Sequence, residues 1–119
     1  PITVHGDGSQ ERTMTYMDDV IDGSVAPLAH RDVSLGQIFN ISINERITAL
    51  GMAAQIKELS NSSSPIVFVP QRKNNTQIEN IDTTKAKRVL GWEARVSFAE
   101  GLQKTLAWMR AIPSDAPRL

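Results

Sequence analysis

The sequence predicts an α+β domain in which helices cover one small sheet. Two short apolar runs end at turn-forming residues: Ile2–His5 leads into Gly-Asp-Gly, and Ile66–Val69 ends at Pro70. Apolar residues recur at helical spacing in the longer segments, most regularly in the one that begins at Ser97. In chain order the segments read β-β-α-β-α-β-α-α, an order that suits a compact α+β lobe.

The first helix is expected directly after a second extended run, which carries Arg12 and Tyr16. Asp18 or Asp19 is expected to cap it, because a side-chain oxygen can accept hydrogen bonds from the free amides at a helix start. Pro27 predicts a kink or an early stop, since proline lacks an amide donor and crowds the carbonyl four residues earlier. The apolar residues of this helix fall near one face: Val20, Ile21, Val25 and Leu28.

The middle of the chain predicts a buried strand and a second helix. Residues 37–42 have the composition of the strand, and the helix follows Arg46. Gly51 lies inside that helix, where glycine costs about 1 kcal/mol relative to alanine. The helix carries two adjoining apolar stripes, one of Ile47, Leu50 and Ala54 and the other of Met52, Ile56 and Leu59.

The last third of the chain begins with its most polar connector, residues 71–81. Asp82 is expected to cap a short helix that ends at Gly91, a residue suited to the left-handed conformation. Ser97 and Glu100 have the spacing of a capping box. The final helix then carries an apolar stripe of Phe98, Leu102, Leu106 and Met109. These elements predict one domain over residues 1–112 and a flexible tail over residues 113–119.

Composition excludes several classes of function. Thirteen basic and thirteen acidic residues cancel, so no electrostatic footprint for nucleic acid or for an anionic membrane is present. The absence of cysteine excludes disulfides, thiol catalysis and thiolate metal sites. The histidines, His5 and His30, lie in distant segments, so no zinc site is expected. No apolar run approaches the roughly 20 residues of a membrane span, and no signal pattern is seen at the amino terminus, which predicts a cytoplasmic location.

Five sequence blocks occur in a fixed order. They are Gly6-Asp7-Gly8 with Arg12 and Tyr16, Gln37 to Ile41, Asp82 to Lys87, Leu90-Gly91-Trp92, and the closing helix. This order resembles the C-terminal substrate-binding lobe of the extended short-chain dehydrogenases/reductases (SDR), the NAD-dependent nucleotide-sugar epimerases, dehydratases and decarboxylases. The resemblance covers nearly the whole chain. It implies a lobe that packs against a Rossmann lobe, with a sugar nucleotide in the cleft between the two.

The resemblance implies NAD as the cofactor of the complete enzymes, but the motifs that bind and use NAD are missing from this sequence. Gly6 and Gly8 have the first spacing of a dinucleotide fingerprint, yet position 11 is Glu and no helix is expected until about residue 19. The catalytic Tyr-x-x-x-Lys pair is missing too, because Tyr16 is followed four residues later by Val20. We therefore expect no cofactor bound by this chain and no oxidoreductase activity from it alone.

The resemblance assigns substrate contacts to the opening segment. Arg12 corresponds to an arginine that contacts the diphosphate, a task suited to a permanently charged planar guanidinium. The alternative is a surface arginine paired with an acidic neighbour, either Asp7, Glu11 or Asp18. Val4 and His5 lie where the strand passes the nucleotide base, although Tyr or Phe is more common than His at position 5. Tyr16 corresponds to a residue on the cleft wall, where packing is its main role.

A second phosphate-binding arginine, implied a few residues before Asp82, is absent from that stretch. Glu79 stands about where this arginine is expected, and a carboxylate there would repel a diphosphate. Arg72 or Lys73, earlier in the same connector, is the candidate replacement. The other conspicuous residues are interpreted as structural: Asp19 as a helix cap, Lys85 as solvated, and Trp92 and Trp108 as core.

Two hypotheses from different classes follow. In the leading one, the chain supplies the binding of a UDP- or dTDP-sugar to an enzyme whose hydride chemistry belongs to the other lobe. In the second, the chain is a stand-alone binding or protein-interaction module that self-associates, for example as a homodimer, through the face that the other lobe would cover. A third possibility is a truncated fragment of an intact enzyme.

Overall fold

A computed structural model describes residues 1–74, 77–78 and 80–113. Within these ranges the chain forms short strands and helices that alternate irregularly. In chain order they are β1 (Ile2–His5), β2 (Glu11–Thr13), α1 (Met17–Ala29), α2 (Arg31–Ser34), β3 (Arg46–Thr48), α3 (Ala49–Ser60), β4 (Ile66–Val69), α4 (Thr84–Leu90) and α5 (Phe98–Ala111). The α+β class is confirmed. Most of the predicted tail, residues 114–119, lies outside the described residues.

The described strands form two separate pairs, whereas the sequence predicted one small sheet. Strands β1 and β4 pair in parallel, with Ile2 opposite Ile66 and His5 opposite Val69. Strands β2 and β3 pair antiparallel, with Arg12 opposite Ile47. Residues 47 and 48, predicted as the helix start, therefore belong instead to strand β3 beside β2. The helix starts after Thr48, whose hydroxyl accepts a hydrogen bond from the Gly51 amide at 3.0 Å.

The predicted strand at residues 37–42 is not formed in the described structure. Buried and exposed side chains still alternate along this segment: Phe39 and Ile41 pack against the core, while Ile38 is 84% exposed. A strand needs a neighbouring strand to take its backbone hydrogen bonds. None of the described strands lies beside this segment, so the prediction failed for lack of a pairing partner.

The main core surrounds Ala86 and Leu90 of α4 and Trp92, which follows that helix. Helix α1 comes close to it at Gly23, where an added Cβ would stand 2.6 Å from Ile41 Cγ2 and 2.8 Å from Trp92 Cε2. Glycine therefore allows the close packing. Trp92 is core as predicted, but Trp108 is 66% exposed on α5, so its assignment to the core was wrong.

The apolar face of α1 is largely exposed to solvent. Ile21 and Leu28 are 52% and 76% exposed, and Met17 and Val25 are exposed beside them. These exposures show that the apolar face of α1 is not covered by any other part of the described structure.

The helix ends in the second half follow their sequence signals, with one shift. Thr83 and not Asp82 directly precedes α4, and its side chain makes no cap. The Asp82 carboxylate, one position earlier, accepts a hydrogen bond from the Thr84 amide at 2.9 Å. Gly91 ends α4 in the left-handed conformation with φ of 64°. Ser97 accepts from the Glu100 amide at 3.3 Å. The Glu100 carboxylate pairs with Lys104 at 2.9 Å, so we observe one of the two bonds of the predicted capping box.

Candidate functional site

The candidate site lies where β1 and β4 end. Because the two strands are parallel, their carboxyl ends meet at one edge, and ligands of α/β sheets commonly bind beyond such edges. The Gly6 amide continues the pairing by donating to the Val69 carbonyl at 2.8 Å. His5 therefore stands beside the residues that follow β4, namely Pro70, Gln71 and Arg72.

His5 and Arg72 are in direct contact at this edge. Arg72 Nε donates to His5 Nε2 at 3.0 Å. The other ring nitrogen, Nδ1, lies 3.0 Å from the Pro70 carbonyl oxygen. Arg72 as a whole is exposed, so this hydrogen bond holds one side of a guanidinium at the surface. Two of the five predicted site residues are thus joined, although they lie 67 positions apart in sequence.

The Gly-Asp-Gly turn is held by local contacts. Gly6 and Gly8 have φ of 68° and 76°. An added Cβ at Gly8 would stand 2.9 Å from Val4 Cγ1 and 2.8 Å from Leu50 Cβ, so only glycine fits. The Asp7 carboxylate accepts from the Ser9 hydroxyl at 2.6 Å and from the Ser9 amide at 2.9 Å. These bonds lower the pKa of Asp7, the hydroxyl having the larger effect.

Val4 and Gln10 border a cavity between β1 and α3. Val4 is 4% exposed, and the cavity has a volume of about 240 Å³. Gln10 is also buried and donates from Nε2 to the His5 carbonyl at 3.2 Å. Its Oε1 is buried without a partner among the described residues. Sequence reasoning missed Gln10, because a glutamine after a turn carries no signal of burial.

Arg12 lies on β2, half-buried. Its Nη1 donates to the Glu11 backbone carbonyl at 2.6 Å. The Glu11 carboxylate pairs instead with Arg46 across the strands at 3.2 Å. The predicted alternative was an ion pair between Arg12 and an acidic neighbour. Arg12 does not form such a pair with the Glu11 carboxylate, which is bonded to Arg46. Residue 77 lies beside β2, because its backbone carbonyl accepts a hydrogen bond from the Glu11 amide at 2.8 Å.

Tyr16 faces the last helix. An added Cβ at Gly101 would stand 3.1 Å from Tyr16 Cδ2, and Lys104 Nζ lies 5.3 Å from the ring centre. The ring also lines a small cavity of about 130 Å³ with Phe98 and Leu102. The described contacts of Tyr16 are thus packing contacts with α5.

Asp19 does not cap α1, contrary to the prediction. Tyr16 is the residue that precedes the helix, and it makes no side-chain cap. Asp19 is 6% exposed, and its Oδ2 accepts from the backbone amides of Arg95 at 3.0 Å and Val96 at 2.9 Å. A carboxylate bonded to a distant loop gives no local sequence signal, which is why its role was misassigned.

Several other expectations concern metals, membranes and the connector. No cluster of three or more His, Asp or Glu side chains able to hold a metal occurs in the described ranges. Nor does any described helix have the length and hydrophobicity to cross a bilayer. Lys73 is exposed. Glu79, the predicted obstacle to phosphate binding, lies outside the described residues.

This fold matches the extended SDR enzymes over about one third of their chains. The family model described as GDP-mannose 4,6 dehydratase matches residues 1–105, so the chain belongs to that family. The resemblance to NAD-dependent epimerases and dehydratases is therefore confirmed. It rests on the fold and on most of the sequence together.

Individual relatives show how much of a complete enzyme this chain represents. UDP-glucuronic acid decarboxylase 1 of Arabidopsis thaliana is 34% identical over 92% of this chain and 25% of its own length. The UDP-glucuronic acid 4-epimerase of Bacillus cereus, solved with UDP-glucuronic acid and NAD, is 29% identical with a TM-score of 0.84, over 92% of this chain and 35% of that one. An epimerase of Methanothermobacter thermautotrophicus is 31% identical with a TM-score of 0.87, over 92% and 33%. The chain thus spans a quarter to about a third of these relatives.

Proposed function

We propose that this chain is the substrate-binding lobe of an NAD-dependent nucleotide-sugar epimerase, dehydratase or decarboxylase. Its task is to hold the nucleotide diphosphate of a UDP- or dTDP-sugar beyond the carboxyl ends of β1 and β4. The observation that carries this proposal is the Arg72 guanidinium, which is bonded through Nε to His5 at that edge while the residue is exposed. An arginine so placed can bind two oxygens of a phosphate at once.

The residue types around Arg72 support a nucleotide as the ligand. Strand β1 has one edge paired with β4, and its other edge borders the cavity of about 240 Å³. The apolar walls of that cavity, from Val4 and from Met52 and Ile56 of α3, suit one face of a planar base. Arg12 supplies a second positive charge to the same lobe. The UDP-glucuronic acid bound by the Bacillus cereus relative supports the same ligand class.

The residues present do not fit NAD. In a dinucleotide site the glycine turn leads directly into a helix whose amino terminus receives the pyrophosphate. Here the turn leads into β2, and the first helix begins at Met17. The close approach at Gly8 is to Val4 and Leu50 of the chain itself. This lobe therefore contributes substrate binding and orientation, while the hydride chemistry belongs to a dinucleotide-binding lobe.

Two surfaces suit the docking of that second lobe. One is the exposed face of α1, and the other is the extended segment 37–42, whose outward backbone groups no described strand takes up. A sheet edge on the partner would turn segment 37–42 into the strand that its sequence predicts.

The proposal is tested by titrating isotope-labelled chain with UDP, dTDP, UDP-glucuronic acid and NAD. We expect saturable amide shifts at residues 3–12 and at Arg72 with the nucleotide diphosphates and none with NAD. Arg72→Ala should abolish these shifts, whereas Arg88→Ala, which removes the same charge from α4, should not. No response of the wild-type chain at millimolar nucleotide would contradict the proposal.

A second candidate function is a self-associating interaction module, favoured by the exposed face of α1. The same apolar residues would then meet a second copy instead of another lobe. Sedimentation velocity over a range of concentrations, with and without UDP, separates the two. Association that buries α1 without any nucleotide binding would favour the module.

A further inference from the structure

We infer that His5 is a positioning residue that fixes the guanidinium of Arg72 for anion binding. This inference rests on the proposed function and adds to it a specific role for the imidazole. The family resemblance places Tyr or Phe more commonly at this position, and neither of these side chains has a ring nitrogen to accept from Arg72 Nε.

The chemistry of the two partners of His5 determines its tautomer. A carbonyl oxygen can only accept, so the contact of 3.0 Å with Pro70 requires a hydrogen on Nδ1. Arg72 Nε always carries a hydrogen, so its contact of 3.0 Å requires a lone pair on Nε2. His5 therefore has the Nδ1–H tautomer, and each nitrogen performs one task.

Hydrogen bonds of the surrounding backbone hold His5 itself in place. His5 pairs with Val69 in the parallel register, and the Gly6 amide donates to Val69 at 2.8 Å. The His5 carbonyl accepts from the buried Gln10 side chain at 3.2 Å. Arg72, in contrast, is exposed and lies in a connector. The ordered strand thus restrains a long side chain that would otherwise sample many rotamers.

This restraint leaves one mode of anion binding. With Nε bonded to His5, a phosphate can use only the end of the guanidinium formed by the two Nη atoms. Because the side chain is already ordered, binding loses less conformational entropy than it would with a freely rotating arginine. His5 should therefore raise the affinity of Arg72 for a diphosphate without touching the ligand.

Two amide substitutions separate the two tasks of the ring. The oxygen of glutamine reaches the position of Nε2 and can accept from Arg72, whereas the nitrogen of asparagine reaches the position of Nδ1 and can donate to Pro70. We expect His5→Gln to bind UDP within about threefold of wild type, and His5→Asn to bind about five- to tenfold more weakly.

A measurement without ligand tests the contact directly. Nitrogen-15 spectra of the His5 ring should show a hydrogen-bearing Nδ1 and a lone pair on Nε2, and Arg72→Ala should shift the Nε2 signal. Equal UDP affinities of His5→Gln and His5→Asn, with normal binding by wild type, would overturn the positioning role alone. Failure of the wild-type chain to bind UDP would overturn the proposed function and the anion-binding role with it, while the ring spectra would still report whether His5 holds Arg72.

Discussion

The carboxylate of Asp19 and the backbone amide of Val96 are joined by a hydrogen bond of 2.9 Å across 77 positions of the chain. The same oxygen accepts from Arg95, so one buried carboxylate holds the loop before α5 against the start of α1. Charged acceptors make the stronger protein hydrogen bonds, and the donors here have few alternatives. Asp19 is therefore a structural link between the two ends of the lobe.

Removing this link should destabilise the fold. Asp19→Ala leaves two backbone donors without their acceptor, and we expect the free energy of unfolding to fall by about 2 kcal/mol. Asp19→Asn keeps a neutral acceptor, so its free energy of unfolding should fall by about half as much. Urea denaturation measures both values. Asp18→Ala, at the neighbouring and exposed position of α1, is the control, and an equal loss there would refute the assignment.

Gly23 should tolerate no side chain. A methyl group would stand 2.6 Å from Ile41 and 2.8 Å from Trp92, neither of which can move without disturbing the core. We expect Gly23→Ala to lower the free energy of unfolding by about 1–3 kcal/mol, despite the better helix propensity of alanine. Ser24→Ala, at the next and exposed position of α1, should be close to neutral. Equal thermal melting temperatures for the two variants would contradict the close approach of α1.

The stabilising effect of Asp82 should depend on pH. Hydrogen bonds from Thr84, from its hydroxyl first and then from its amide, lower the pKa of the Asp82 carboxyl in the folded chain. Its contribution is thus fully present above the unfolded value of about 3.9 and is lost as the pH falls through the lowered folded value. The difference in melting temperature between wild type and Asp82→Ala should shrink with falling pH.

The control for this pH dependence is Asp32→Ala on α2, which removes one exposed carboxylate from another helix. Comparing each variant with wild type at the same pH removes the contribution of Asp7, whose pKa is also lowered. If the difference in melting temperature between wild type and Asp82→Ala stays constant from neutral to strongly acid pH, the stabilising role of the Asp82 hydrogen bonds is contradicted.

The exposed face of α1 should drive self-association of the isolated chain. Ile21 and Leu28 contribute little to the core, so replacing both with aspartate should leave the melting temperature within a few degrees while abolishing concentration-dependent sedimentation. Trp108→Asp removes a comparable exposed apolar side chain from α5 and is the matched control. Association that persists in the double variant would place the contact elsewhere.

Local signals predicted the parts of this fold that depend on local contacts. Gly91 and Ser97 were correctly placed because capping involves only neighbours within a few positions. Asp82 bonds the first amide of α4 from one position earlier than predicted, which is again a local contact. Asp19 and the segment 37–42 were misassigned because their partners are distant or absent from the described chain. For the site, the sequence identified His5 and Arg72 separately, and only the parallel pairing of β1 with β4 shows that they meet.

That parallel pairing also determines when the candidate site can exist. Its two central side chains are 67 positions apart, so their contact requires closure of a loop that contains more than half of the chain. During synthesis, β1 can pair with β4 only after the segment through Val69 has left the ribosome. Ligand binding at the proposed site would consequently require this late contact, since no shorter nascent intermediate contains both His5 and Arg72.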